Sequence, residues 1–247
     1  HIEKMETSLL GDAAQYQLAF DSQVVEMNAL VGQHIELIFN QTIQCSNCGR
    51  VTPKSYSQGF CFPCARSLAR CDLCIMRPET CHYHLGTCRE PEWGEAHCFA
   101  PHIVYLANSS GLKVGITRKT NVPGRWIDQG AISAIPILEV KTRLESGRIE
   151  IALKAHVSDK TNWRKMLKNE TESIDLVEAK NTLLAEIPEL IEDLGATRLN
   201  DDVVNINYPV LQYPSKINSL NFDKTPVISG VLNGIKGQYL LLENGWG

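Results

Sequence analysis

With 247 residues, the chain is long enough to bury a substantial core as one large domain or two to three small ones. Its 43% hydrophobic content and mean hydropathy of -0.16 are ordinary for a globular protein, and no apolar stretch approaches the roughly 20 residues of a membrane-spanning helix. A formal net charge of -4 supplies by itself no reason to expect a nucleic-acid partner. The charge is unevenly placed, however. Between Pro101 and Lys168 twelve Lys and Arg stand against five Asp and Glu, a basic island in an acidic chain.

In chain order, residues 1–43 read as β-rich. QYQLAF alternates, and MNALVGQHIELIFNQTI contains a strand-like run with Gly32 as a turn or bulge. From 44 to 100 apolar periodicity fails and Cys, Pro, Gly and His take over, so metal rather than an oil core must organise this segment. Periodicity returns in 101–168. There IVYLANSSGLKVGITR reads as two strands around a Ser-Ser-Gly turn, and NVPGRWIDQGA as a short helix capped by Asn121, with Pro123 in its first turn and Gly130 at its exit. AIPILEVKT reads as a third strand and LESGRIEIALKAHV as a helix with Leu144, Ile149, Leu153 and Val157 near one face. Residues 169–199 read as an acidic helical segment that Pro188 kinks or divides and Gly195 ends. Residues 200–247 return to β character and are candidates to complete a sheet with 1–43.

All nine cysteines lie between Cys45 and Cys98. The opening HIEKMETSLL lacks the basic and apolar regions of a secretory signal, so the expectation is a cytoplasmic chain whose cysteines bind metal rather than form disulfides. Cys45, Cys48, Cys61 and Cys64 form two CxxC pairs twelve residues apart, a spacing that presents four thiolates to a structural Zn2+. Gly49 relieves the backbone turn around the ion. For a second structural zinc site the reading favours Cys71 and Cys74 with two of Cys81, Cys88 and Cys98. His82, His84, His97 and His102 are interspersed among them.

On the hairpin, Ile103-Val104-Tyr105 and Lys113-Val114-Gly115, followed by Arg125 and Glu150, resemble the motifs of the GIY-YIG nuclease superfamily, in its divergent KVG form. The likeness covers about a quarter of the chain. The whole chain also resembles an uncharacterised bacterial family of unknown function, through GTCREPEWGEAHC, VYLANSSGLKVGITR, RWIDQGA, HVSDKTNWRKML and GIKGQYL. Taken with the cysteine pattern and the β-rich ends, the first resemblance implies an α+β fold in which a GIY-YIG-like segment follows a zinc-ribbon-like cysteine segment. It also implies a metal-dependent nuclease acting on DNA or RNA. Tyr105 would help handle the proton of the attacking water, Arg125 would face the phosphoryl charge, Glu150 would hold Mg2+ or Mn2+, and Gly115 would allow close approach. The chain departs from the superfamily at Lys113, where the second motif carries tyrosine. Lysine can contact phosphate or, with a lowered pKa, join proton transfer, but it is a different group.

Lys119, Arg143, Arg148 and Arg164 are candidates for backbone contacts, and Trp163 either stacks on a base or packs under the hairpin. Plain structural roles compete: Tyr105 as core, Arg125 as a partner of Trp126 or Asp128, Glu150 as a partner of Lys154 across one helical turn. Two other functions compete as well. One is a non-catalytic nucleic-acid-binding protein on a decayed nuclease scaffold. The other is a zinc-stapled protein-interaction scaffold using the acidic helix 173–194.

Overall fold

Alternation of apolar and polar residues builds the N-terminal strands of the computed structural model, which describes residues 4–20, 23–157 and 162–243. Residues 158–161, within HVSDKTNWRKML, lie outside the described residues. Strands β1 (Glu6–Leu10), β2 (Ala13–Phe20) and β3 (Gln23–Glu26) form an antiparallel sheet in that order. In β2 the alternate residues Ala14, Tyr16 and Leu18 are buried, as a one-sided sheet requires. Asn28 ties the following turn to β2, accepting from the Tyr16 N–H and donating to the Ala14 carbonyl, both at 2.9 Å. Strand β4 (His34–Ile38) leaves this sheet to join another.

The cysteine-rich part holds two short helices, α1 (Phe62–Ser67) and α2 (Pro91–Cys98), separated by single 3-10 turns. Then come β5 (His102–Asn108) and β6 (Leu112–Arg118), the predicted hairpin, with Tyr105 opposite Gly115. Helix α3 (Gly124–Asp128) starts later than expected. Asn121 does not cap it but closes a 3-10 turn and donates to Thr117 Oγ1 at 3.3 Å, and Pro123 holds the capping position. Strand β7 (Ser133–Val140) pairs with the other side of β5. Helix α4 (Arg143–Lys154) opens on a capping box. The Thr142 hydroxyl accepts from the Glu145 N–H at 3.2 Å, while the Glu145 carboxylate accepts from the Thr142 N–H at 3.0 Å.

Helix α5 (Trp163–Leu167) is capped by Asn162. The acidic segment divides near Pro188 into α6 (Leu176–Ala185) and α7 (Pro188–Asp193). Their apolar residues Leu176, Leu183, Leu184 and Ile191 are buried, and Glu178, Glu186, Glu189 and Glu192 stay exposed. Short strands β8 (Thr197–Arg198) and β9 (Val204–Asn205) pair with β7. The long β10 (Val227–Lys236) forms a hairpin with β11 (Tyr239–Leu242) and also pairs with β4, Val227 opposite Ile38 and Val231 opposite His34.

Strand β5 is buried along its whole length because its two faces serve different cores. Ile103, Tyr105 and Ala107 pack with Tyr16, Trp126 and Leu232. Val104 and Leu106 pack with Ile149 and Leu153 of α4 and with α6 and α7. Covering both faces turns the usual alternation into a continuous apolar run. Strand β6 is left at the sheet's edge, with α3 and α4 at either side.

Candidate functional site

The two CxxC pairs meet. The Sγ atoms of Cys45, Cys48, Cys61 and Cys64 lie within 4.8 Å of one another, and those of Cys48 and Cys61 are 3.8 Å apart. Two sulfurs bound tetrahedrally at Zn–S distances of ~2.3 Å would be separated by ~3.8 Å. Gly49 takes a positive φ of 69° directly after Cys48 and donates to the Cys45 carbonyl at 2.9 Å, closing the first knuckle. Burial opposes ionisation of Cys45, but backbone N–H groups of Cys61, Cys48 and Asn47 pull its thiol down to about 6. Its neighbours push Cys64 up to about 12, the Cys61 sulfur most of all. Four thiols this close cannot all ionise unaided, and a divalent cation removes that repulsion. This cluster could hold a metal ion such as zinc.

The remaining cysteines do not follow the expected pairing. Cys71 packs beside Cys45, Cys61, Cys64 and Leu68, in the surround of the first cluster. Cys74, Cys81, Cys88 and Cys98 instead line one small cavity. The cause is local: residues 69–71 and 73–75 form separate 3-10 turns, and Asp72 between them is extended, so the two sulfurs of this CxxC diverge.

The hairpin residues converge with those of the helices. A cleft of about 560 Å3 runs along the exposed edge of β6. Lys113 and Gly115 form its floor, Arg125 and Gln129 come from α3, and Arg143, Glu150 and Lys154 come from α4. The α4 residues stand at helical spacing, so the helix turns them to one side while Ile149 and Leu153 face the core. Ile75, Met76 and Pro78 from the cysteine-rich part form the opposite wall. Arg118 adds a further cation, so five basic side chains line the cleft with Glu150 as its carboxylate.

Tyr105 lies directly beneath this floor. A Cβ on Gly115 would come within 2.5 Å of the Tyr105 hydroxyl, so only glycine lets the ring fill that space. The hydroxyl donates to Gln129 Oε1 at 2.8 Å. Burial holds the phenol above the usual tyrosine range, opposed by the pull of Arg125. Glu150 lies 3.5 Å from Lys154, the helical pair considered from sequence. Asp128 pairs with Lys4 at 2.5 Å.

The other expected nucleic-acid contacts scatter. Of that group, Arg143 lines the cleft, where it donates to the Ile75 carbonyl at 2.6 Å. Lys119 pairs with Glu139 at 2.8 Å, and Arg148 is exposed on α4 away from the cleft lining. Trp163 packs neither under the hairpin nor in the cleft. It stacks on Tyr239 at 6.1 Å between ring centroids, with Arg164 over its face at 4.3 Å. Arg118, Lys154 and Gln129 were missed from sequence. Lys154 had a usable signal, since it follows Arg143 by three helical turns.

A family model described as "Protein of unknown function (DUF2797)" matches residues 32–246. The chain belongs to that family. No curated protein and no solved structure matches it. The match brings no activity with it, and the GIY-YIG likeness rests on the hairpin, Arg125 and Glu150. Strands β1 to β3 precede the matched residues. No helix among the described residues is long and apolar enough to cross a membrane.

Proposed function

We propose that the β6-edge cleft is a GIY-YIG-like phosphodiester site and that the protein is a metal-dependent nuclease acting on DNA or RNA. One observation carries this reading: Lys113, Gly115, Arg125 and Glu150 line a single cleft, with Tyr105 in contact beneath Gly115. The five cations suit a polyanionic backbone, whose binding releases counterions and weakens with salt. Arg125 offers a planar donor fork to phosphoryl oxygens, and Gly115 keeps the floor free of side chain. Mg2+ or Mn2+ held by the Glu150 carboxylate would polarise the phosphoryl group and activate water. The four-cysteine cluster offers four protein ligands and so leaves no position for substrate, which supports a structural part for zinc.

The test is cleavage of DNA and RNA panels by the full chain with Mg2+ or Mn2+. Arg125→Ala and Glu150→Gln are each expected to lower turnover about 100-fold or more, the loss typical of removing a group that stabilises developing charge. Cleavage that survives both substitutions overturns the site.

A second reading, binding without turnover, is favoured by two details. The Tyr105 side chain is fully buried, and Lys113 stands where the second motif has tyrosine. It predicts salt-sensitive binding that weakens when Lys113 and Arg125 are reversed in charge, with no cleavage under any metal.

A further inference from the structure

Five of the nine cysteines lie outside the first cluster, and four of these line one small cavity, their sulfurs spread more widely than those of the first cluster. Cys74 comes from the 3-10 turn Leu73–Ile75, Cys81 from the end of the next turn, Cys88 from the loop before α2, and Cys98 from the last residue of α2. The cavity between them has a volume of about 20 Å3, room for a single small occupant. Its closeness is enforced by Gly94: a Cβ there would lie 3.3 Å from Cys88 Sγ and 3.1 Å from the Tyr83 ring. Helix α2 is thereby held against the Cys88 loop, which delivers Cys98 to the same cavity.

The nearest alternative ligand set is Asp72, Cys74 and His82, whose donor atoms lie within 4.8 Å of one another. Both Asp72 oxygens are engaged. Arg89 Nε donates to one at 2.7 Å, and the Cys74 N–H donates to the other at 3.3 Å. With Arg89 on one oxygen and the other shared between the Cys74 N–H and His82 Nε2 at 3.6 Å, Asp72 serves to orient the Cys74 turn. His82 Nδ1 is hydrogen-bonded with Thr87 Oγ1 at 2.7 Å, which holds the loop between Cys81 and Cys88.

The charge around the cavity agrees with four thiolates. Four thiolates and one divalent ion carry a net charge of two minus, which a buried site must balance. Arg89 lines the cavity, paired with Asp72, and the nearby half-buried cation is Arg143. Burial pulls its guanidinium below the usual arginine range, opposed by Cys98 and Cys74 and then by Glu150. Its Nε is buried with no hydrogen-bond partner among the described residues. Arg143 also lines the cleft, so one side chain of the cleft lies within electrostatic reach of Cys98 and Cys74.

We propose that Cys74, Cys81, Cys88 and Cys98 form a second metal centre, a tetrathiolate site for zinc, and that this centre fixes one wall of the cleft. The wall residues Ile75, Met76 and Pro78 lie in the chain between its first two ligands. That chain packs on α4 through Gly147, where a Cβ would meet Pro78 Cβ at 2.6 Å and the Glu79 nitrogen at 2.7 Å. The ligand set stands whatever the cleft binds, whereas the wall's importance for catalysis rests on the proposed function.

Zinc counting by native mass spectrometry on the purified full chain tests the assignment without any nucleic acid. Two zinc ions per chain are expected. Cys81→Ser and Cys88→Ser should each lower the count to one, while Cys71→Ala and the double variant Asp72→Asn with His82→Ala should keep two. A count of one in the parent chain overturns the proposal. So does loss of an ion in the Asp72/His82 variant with retention in Cys88→Ser. Because a ligand variant can unfold, brief alkylation of the unmodified zinc-loaded chain supplies an independent reading. Cys74, Cys81, Cys88 and Cys98 should resist labelling until a chelator is added, and prompt labelling of any of them in the zinc-loaded chain overturns the assignment. If zinc counting succeeds and cleavage fails, the second centre stands and the nuclease reading falls.

Discussion

The cysteine-rich stretch 44–100 and the β5–β6–β7 sheet meet at one cleft but are held together by different physics. Around the first cysteine cluster the buried apolar group is small, Cys45, Cys61, Cys64 and Leu68, and nearby Phe62, Leu73, Met76 and Leu85 are exposed. The sheet buries Val104, Leu106, Ile135, Ile137, Leu138 and Ile149 almost completely. The sheet depends on area removed from water, whereas the cysteine-rich stretch buries little apolar surface and would draw its stability from a metal ion held by its thiols. A site built at their joint would then have a floor indifferent to chelators and a wall sensitive to them.

The most drastic way to break this comparison is to strip the metal. Structural zinc contributes on the order of 10 kcal/mol or more to small domains of this kind. Chelation of the full chain is therefore expected to abolish amide protection across 44–100 while leaving it in β5 and β7, read by hydrogen exchange. Equal loss in both regions would mean that the sheet also depends on the ions. The reverse experiment is Leu106→Ala, which truncates a fully buried side chain. It should cost about 2–5 kcal/mol in denaturant unfolding and leave the zinc content unchanged. The smallest effect is expected at the joint. Gly147→Ala drives a methyl group into the Pro78–Glu79 turn and should cost about 1–3 kcal/mol. It should also raise exchange on both sides of the contact, at Ile75–Thr80 and in α4. A change confined to α4 would show the two regions to be mechanically separate.

Much of this architecture was legible where a short-range rule decides the outcome. Alternation in QYQLAF marked β2, the apolar runs around Ser109-Ser110-Gly111 marked the hairpin, and the twelve-residue gap between CxxC pairs marked the four-cysteine cluster. The legible part of the site was the set on one hairpin and two helices. What failed needed information beyond a few residues. Asn121 has the chemistry of a cap, but the chain leaves β6 through a 3-10 turn and begins its helix three residues later. The Cys71/Cys74 spacing has the form of a knuckle, yet an extended Asp72 splits it between two places. Trp163 was drawn to the hairpin by proximity in sequence, whereas its partner Tyr239 lies near the other end of the chain. Arg118 joins the cleft because β6 is an edge strand, a property of the sheet order that no local pattern reveals.

The pairing of β4 with β10 has a kinetic meaning. Ile38 and Val227 lie far apart in sequence, so this ladder closes a loop that contains both the cysteine-rich stretch and the cleft. Contacts between such distant residues form slowly, because the entropy of closing the loop is lost before the contacts repay it. On the ribosome, β4 must wait with its edge unpaired until β10 has emerged, whereas β1 to β3 can pair among themselves. Ions captured early by the cysteines would shorten the slack in that loop and speed the final closure. Zinc supply would then govern how fast the molecule assembles as well as how stable it is.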